Sequence, residues 1–183
     1  SQSGWQMTEE DKRSAAVRMY SRAEGRKTQE DIAKLLSVGK QKISGWLSAI
    51  IDEERKAREA TILDLWLSCH TQEDIAERVG ETKQAVSQFL QKSQSEFCRN
   101  PDLLFSNFAP ELYTVWNFAK ATNEVKHFGN IPPEIVDNLL YYYTQPFDVV
   151  FDPFGGGGST IDRCVARKRR YYVSDLSPIP ART

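Results

Sequence analysis

The chain contains an internal repeat, and this repeat constrains its fold more than any other feature. Residues 28–47 (TQEDIAKLLSVGKQKISGWL) align without gaps on residues 71–90 (TQEDIAERVGETKQAVSQFL), at an offset of 43 residues. Ten of the twenty aligned positions are identical, including the first six. Identity at this level indicates a duplicated structural unit, and we refer to the two segments as copy one and copy two.

Each copy is predicted to form a helix, a short turn and a second helix. Thr28 and Thr71 are favourable N-caps, and acidic residues follow in the first turn. Residues 37–39 and 80–82 suit a sharp turn. Apolar residues recur at helical spacing in both copies. They are Ile32, Ala33, Leu36, Ile43, Trp46 and Leu47 in copy one, and Ile75, Ala76, Val79, Val86, Phe89 and Leu90 in copy two.

The polar face of each second helix carries side chains that suit a DNA major groove. They are Lys40, Gln41, Lys42 and Ser44 in copy one, and Thr82, Lys83, Gln84 and Ser87 in copy two. Lys and Gln reach base edges and phosphates, while Ser and Thr contact backbone oxygens. Residues 15–92 resemble the helix-turn-helix family of DNA-binding domains, which implies binding to double-stranded DNA. Plain helical hairpins that pack together or bind protein are the alternative, as is one DNA reader beside one packing partner.

Composition adds few constraints. The net charge of −1 does not indicate nucleic acid, and the basic cluster at 167–170 is typical of solvated surface. No apolar run is long enough to span a membrane, and the first residues lack the apolar core of a signal peptide. Three widely spaced cysteines and two histidines predict no disulfide framework and no metal site, and favour a reduced, cytoplasmic location.

A second motif lies near the end of the chain. Residues 147–152 are typical of a buried strand, 159–170 of a helix with Ile161, Cys164 and Val165 on one face, and 171–175 of another strand. This order predicts the start of a Rossmann-like α/β domain after a mainly α region. Ligands of such sheets bind at the carboxyl ends of the strands, which here means the glycines at 155–158 and Asp175.

The glycine turn narrows the ligand classes. A P-loop is excluded because no lysine follows Gly158, and the dinucleotide fingerprint fails because Thr160 stands where the third glycine belongs. S-adenosylmethionine fits, because its positively charged groups favour nearby acids and Asp175 is placed for ribose hydroxyls. A tight turn without a ligand is the alternative.

The stretch DPFGGGGST (152–160) resembles the cofactor loop of amino-group DNA methyltransferases, which methylate adenine N6 or cytosine N4. Residues 116–154 and SDLSP (174–178) resemble the same family, so the likeness covers about residues 112–183. It implies a helix at 133–143 with Ile135, Val136, Leu139, Leu140 and Tyr143 as its buried stripe. It also implies that S-adenosylmethionine is bound by Asp152, Phe154, Gly155, Gly157, Asp175, Asn117, Phe118 and His127. For Trp116 and Phe118, plain core packing is the alternative.

The catalytic [DNS]PP[YFW] tetrapeptide of that family does not occur in the chain, so no catalytic residue is predicted. The chain is therefore interpreted as an inactive piece of a methyltransferase, with the missing motif placed downstream in preference to upstream. The predicted domains are 1–50 and 51–95 (helix-turn-helix units), 96–131 (linker and cofactor-side segment) and 132–183 (partial cofactor-binding α/β domain). A short helix at 51–60 joins the first two.

Two alternative functions and one prediction about association complete the interpretation. A non-catalytic helix-turn-helix regulator or partition-type protein with a vestigial α/β end is the main alternative. An RNA or protein substrate is a third reading, which the duplicated helix pairs disfavour because A-form RNA hides its major groove. The unfinished sheet also predicts self-association through exposed strand edges.

Overall fold

The fold was analysed in a computed structural model, which describes residues 7–22, 24–112, 115–116, 118 and 131–177. The described residues form eight helices and one two-stranded sheet. The helices are α1 (Glu9–Tyr20), α2 (Gln29–Leu36), α3 (Lys40–Leu67), α4 (Gln72–Val79), α5 (Lys83–Arg99), α6 (Pro101–Phe105), α7 (Pro133–Tyr143) and α8 (Ser159–Ala166), and the strands are β1 (Val149–Asp152) and β2 (Arg170–Val173). The predicted mainly α region before the sheet is confirmed, whereas the Rossmann-like α/β domain stays a prediction. The chain divides into two units, Ser1–Arg58 and Glu59–Thr183.

The first unit contains copy one. Its core is formed by Ala15 and Ala16 of α1, Ile32 and Leu36 of α2, and Ile43 and Leu47 of α3. The Thr28 hydroxyl accepts a hydrogen bond from the Asp31 backbone N–H and caps α2. Ser37 then adopts a left-handed conformation with φ of 51°, which ends α2 and reverses the chain into α3. The predicted helix, turn and helix are present, and the predicted apolar stripes face the core.

The second unit begins with the last turns of α3 and contains copy two. Ile62 and Leu67 of α3 pack with Ile75 and Ala76 of α4 and with Val86 and Leu90 of α5. Thr71 caps α4 as Thr28 caps α2, and Gly80 takes the left-handed position that Ser37 holds in copy one. The helix, turn and helix recur as predicted. Their assignment as DNA-binding helix-turn-helix units stays a prediction.

Helix boundaries differ from the sequence predictions in three places. The joining helix predicted at 51–60 is not separate, because α3 runs without a break from Lys40 to Leu67. The region after residue 95 was predicted to be a linker, but α5 continues to Arg99 and α6 follows at once. Leu104 and Phe105 of α6 are buried against α7 and α8, and this burial stabilises helix in a polar stretch. The helix predicted over 159–170 ends at Ala166, because Lys168 adopts a left-handed conformation with φ of 58°.

The buried face of α7 also differs from the predicted stripe. The helix occupies Pro133–Tyr143 as expected, and Val136 and Leu140 are buried. Leu139 and Tyr143 are exposed, whereas Asp137 and Asn138 are buried, so that part of the prediction was wrong. The reason is a set of polar partners from distant segments. Asn138 Oδ1 accepts the Glu111 backbone N–H at 2.9 Å, and Asp137 pairs with Arg167.

The basic cluster at 167–170 was predicted to be solvated surface, and this was wrong for two of its members. Arg167 and Arg169 are 4% and 3% exposed. Arg169 donates to the Thr144 hydroxyl at 2.8 Å and to the Thr144 carbonyl at 2.7 Å, at the C-terminal end of α7. A cation at this end is stabilised by the helix dipole, so Arg169 has a structural role.

Candidate functional site

The two strands bring part of the predicted cofactor site, the residues around the glycine turn and Asp175, to one edge of the sheet. β1 and β2 are parallel, and Asp152 at the end of β1 pairs in register with Val173 at the end of β2. The glycine turn follows β1 directly, and Asp175 follows β2. Since the carboxyl ends of parallel strands lie side by side, the turn and Asp175 are neighbours.

Asp152 holds both ends of the glycine turn. Its Oδ1 accepts the Phe154 backbone N–H at 2.9 Å, and its Oδ2 accepts the Thr160 hydroxyl at 2.6 Å. Thr160 is buried in the first turn of α8. The carboxylate therefore fixes where α8 begins relative to the end of β1.

Gly155 is the point at which the turn touches the neighbouring strand. Its N–H donates to the Ser174 carbonyl at 2.9 Å, and a Cβ at this position would lie 2.2 Å from Val173 Cγ1. Only glycine fits this approach unless the Val173 side chain moves. Gly156 and Gly158 have φ of 49° and 82°, values that residues with a Cβ rarely adopt.

Asp175 faces the glycine turn. Its Oδ2 accepts the Gly156 N–H at 2.8 Å, and its Oδ1 accepts the Ser177 N–H at 2.9 Å. The side chain is half-buried. A carboxylate is thus positioned over the turn, with backbone N–H groups among its partners.

The remaining predicted cofactor residues are less well defined. Phe154 is 84% exposed beside the turn, and Gly157 is half-buried. Phe118 is half-buried, with its ring centroid 6.4 Å from that of Trp116, which is an aromatic packing contact. Asn117 and His127 lie outside the described residues.

A separate cleft of about 400 Å³ lies at the opposite end of the strands. Pro146 and Arg169, which precede β1 and β2, line it together with aromatic residues of α5, α6 and α7. Because this is the amino end of the parallel pair, the cleft is distinct from the glycine turn.

The predicted DNA-facing residues are exposed with one exception. Lys40, Gln41, Lys42 and Ser44 are exposed in the first unit, and Thr82, Lys83 and Gln84 in the second, whereas Ser87 is half-buried. Thr82 also has a structural role, because its hydroxyl caps α5 by accepting the Ala85 N–H at 3.1 Å.

The lysines of this surface have acidic partners that sequence reasoning missed. Lys40 Nζ lies 2.5 Å from Glu30, Lys42 Nζ lies 2.7 Å from Glu9, and Lys83 pairs with Glu73. The hydrogen bond from Lys40 holds the pKa of Glu30 below its ordinary value, and the bond from Lys83 does the same for Glu73. Both copies carry Glu at their third position and Lys ten residues later, but this spacing alone does not show that the two side chains meet.

The described part of the chain contains neither a candidate membrane-spanning helix nor a candidate metal site. Within it, no helix is long and apolar enough to cross a membrane. Nor do three or more His, Cys, Asp or Glu side chains come together there as a metal site.

Comparison with known proteins identifies the family. Residues 19–178 match the DNA methylase family. The type II methyltransferases M.XycI of Xanthomonas campestris pv. cyanopsidis and M.Cfr9I of Citrobacter freundii are each 34% identical to this chain over 65 residues. Those residues make up 36% of this chain and 22% of each relative, so the match spans less than a quarter of the length of each of these relatives. No solved structure matches the chain significantly. Because the family match covers most of its length, the chain belongs to the DNA methylase family, the N6/N4 amino-methyltransferases.

Proposed function

We propose that the chain is the DNA-targeting portion and part of the cofactor site of an S-adenosylmethionine-dependent DNA methyltransferase acting on adenine N6 or cytosine N4. The observation that carries this proposal is the contact between the Gly156 N–H and Asp175 Oδ2 at 2.8 Å. This contact joins the glycine turn after β1 to Asp175 after β2. It lies at the carboxyl ends of the strands, where parallel α/β sheets bind nucleosides.

The charges around the turn support a sulfonium nucleoside over a phosphate. The turn at 153–158 contains no Lys or Arg, and both Asp152 and Asp175 contact it. Two carboxylates repel a phosphate and attract the positive sulfonium and amino groups of S-adenosylmethionine. In the bound state, Asp175 accepts hydrogen bonds from the ribose hydroxyls. Asp152 keeps the turn in place.

DNA binding is assigned to the second helices of the two copies. Lys40, Gln41, Lys42 and Gln84 present long polar side chains near the start of these helices. Residues 1–58 contain twelve Lys and Arg against nine Asp and Glu, whereas the rest of the chain contains twelve against sixteen. The first unit is therefore formally +3 and the remainder −4, so we expect copy one to contribute more to phosphate attraction.

Cofactor binding is tested by isothermal titration calorimetry of the whole chain with S-adenosylmethionine. We expect saturable binding that Asp175→Ala weakens at least about tenfold, because hydrogen bonds to a charged group contribute roughly 1.5–3 kcal/mol. Asp102→Ala, an exposed aspartate on α6, is the matched control and should bind like the unaltered chain. A folded chain that gives no binding would favour the non-catalytic regulator.

Catalysis is tested separately, by transfer of labelled methyl groups from S-adenosylmethionine to duplex DNA. We expect none from this chain alone, because residues 1–183 contain no [DNS]PP[YFW] tetrapeptide to receive a flipped base. Methyl transfer by the chain alone would contradict this assignment.

A further inference from the structure

The same ion pair occurs at equivalent positions in the two copies of the repeat. Lys40 pairs with Glu30 in copy one, and Lys83 pairs with Glu73 in copy two. Both members are shifted by the repeat offset of 43 residues. The side chains of both pairs are about 60% exposed, so burial does not require either charge to have a partner. Recurrence in two separate sequence contexts indicates a property of the repeat itself.

Each lysine stands at the first residue of its helix, α3 or α5. A cation is disfavoured at this end, because the helix dipole is positive there. The glutamate comes from the first turn of the preceding helix, α2 or α4. The pair therefore places a carboxylate directly beside the N-terminal end of the helix that we assign to DNA.

Copy one carries a second pair of the same kind. Lys42 Nζ lies 2.7 Å from Glu9 of α1. The corresponding residue of copy two is Ala85, which has no charge to neutralise. In the described structure, every lysine among the residues assigned to DNA thus has a carboxylate within 4 Å.

We propose that Glu30 and Glu73 are specificity-determining residues that suppress non-specific DNA binding by neutralising Lys40 and Lys83 until a correct site displaces them. This inference rests on the DNA-binding role proposed above. A paired lysine carries no net charge to a phosphate, so it releases few condensed counterions from DNA. At a correct site, contacts with the bases compensate for the loss of the ion pair, whereas random sequence does not offer those contacts.

A purely structural role makes a different prediction. If the pairs only join neighbouring helices, neutralising the glutamates lowers stability slightly, as for other exposed pairs, and leaves DNA affinity unchanged. The salt dependence of DNA binding separates the two roles, because it reports how many charges meet phosphates.

The experiment compares two double variants of the whole chain. The test variant combines Glu30→Gln and Glu73→Gln, and the control variant combines Glu54→Gln and Glu96→Gln. Both change the net charge equally, but Glu54 pairs with Arg26 in the connection before α2, and Glu96 is exposed near the end of α5. Binding to a random-sequence duplex is measured by fluorescence anisotropy between about 50 and 200 mM salt. Circular dichroism checks that both variants fold.

We expect the Glu30→Gln, Glu73→Gln variant to bind random duplex at least about fivefold more tightly at low salt. The slope of log K against log salt should steepen by about 0.9 for each lysine released. Adding Lys40→Gln and Lys83→Gln should remove the gain. Equal slopes in the two double variants would overturn the inference while leaving DNA binding intact. Absence of duplex binding by all the variants and the unaltered chain would overturn the DNA-binding proposal itself, and this inference with it.

Discussion

Asp137 and Arg167 form a two-pronged ion pair inside the second unit. Arg167 Nε donates to Asp137 Oδ1 at 2.8 Å, and Arg167 Nη2 donates to Asp137 Oδ2 at 2.7 Å, with side chains that are 4% and 5% exposed. The other nitrogen, Arg167 Nη1, donates to the Leu104 carbonyl and to Asn107 Oδ1. The pair therefore joins α7 and the end of α8 to α6 and to the residues that follow it.

Removing one member of this pair should destabilise the second unit strongly. Asp137→Ala leaves the Arg167 guanidinium buried without its anion, and we expect the free energy of unfolding to fall by about 3–5 kcal/mol. Guanidinium unfolding followed by circular dichroism measures the change. Glu134→Gln, an exposed position in the first turn of α7, is the control and should cost under about 1 kcal/mol. A loss below about 1 kcal/mol for Asp137→Ala would show that water reaches the pair.

Gly155 should tolerate a methyl group only if the side chain of Val173 on β2 is displaced or shortened. The Cβ of Gly155→Ala would clash with Val173 Cγ1. Overpacking of this kind costs about 1–3 kcal/mol. Val173→Ala removes the clashing methyl group. We therefore expect the double variant to be more stable than the sum of the two single losses predicts, as measured by thermal and chemical unfolding. Strict additivity would mean that the turn moves away from β2 instead.

Cys164 should give stability a distinct dependence on pH. Burial raises the pKa of this thiol from 9.0 to about 12. Above pH 9 the unfolded chain loses the proton while the folded chain keeps it, so stability is present below pH 9 and declines as the pH rises towards 12. The free energy of unfolding of the unaltered chain should fall more steeply over this range than that of Cys164→Ala.

A thiol reagent offers an independent check on the same residue. At pH 8 the folded chain should react rapidly at exposed Cys98 and leave Cys164 unmodified. Full modification of all three cysteines without denaturant, or parallel pH curves for the two proteins, would contradict the burial of Cys164.

The sheet should mediate self-association. Val149, Phe151 and Tyr172 are 55%, 63% and 63% exposed, although parallel sheets are usually covered on both faces. The rings of Phe151 and Tyr172 lie 6.0 Å apart and form one apolar surface. We expect concentration-dependent association with a second copy in sedimentation experiments, and Phe151→Lys should weaken it.

Leu103→Lys, at a 70% exposed position on α6, is the control for this substitution. It adds the same charge away from the sheet and should leave association unchanged. A monomer at all concentrations, or equal effects of the two lysines, would exclude the sheet face as the interface.

Features set by local interactions were predictable from the sequence. Thr28 and Thr71 cap their helices as expected, because a hydroxyl and a backbone N–H three residues apart need no distant partner. The apolar stripes of both copies are buried as predicted, because helical spacing alone places them on one face. The order of strand, glycine turn, helix and strand near residue 150 was also predictable, because it depends on residue types and short spacings along the chain.

Features that depend on distant partners were not. Asp137 and Asn138 are charged or polar residues of α7. Their burial depends on Arg163, Arg167 and the backbone of Glu111, all more than 25 residues away. The same holds for the basic cluster at 167–170, where Arg169 is buried because α7 ends beside it.

The sequence by itself determined the duplicated helix pairs, the glycine turn and the acid that follows β2, because each depends on residue type and short spacing. Only the tertiary structure decided that Asp175 contacts Gly156, that Lys40 and Lys83 are neutralised by Glu30 and Glu73, and which polar residues of α7 are buried. These outcomes depend on which charges and carbonyl groups meet across elements. The free energy of such contacts is a property of their geometry, which a linear pattern does not contain.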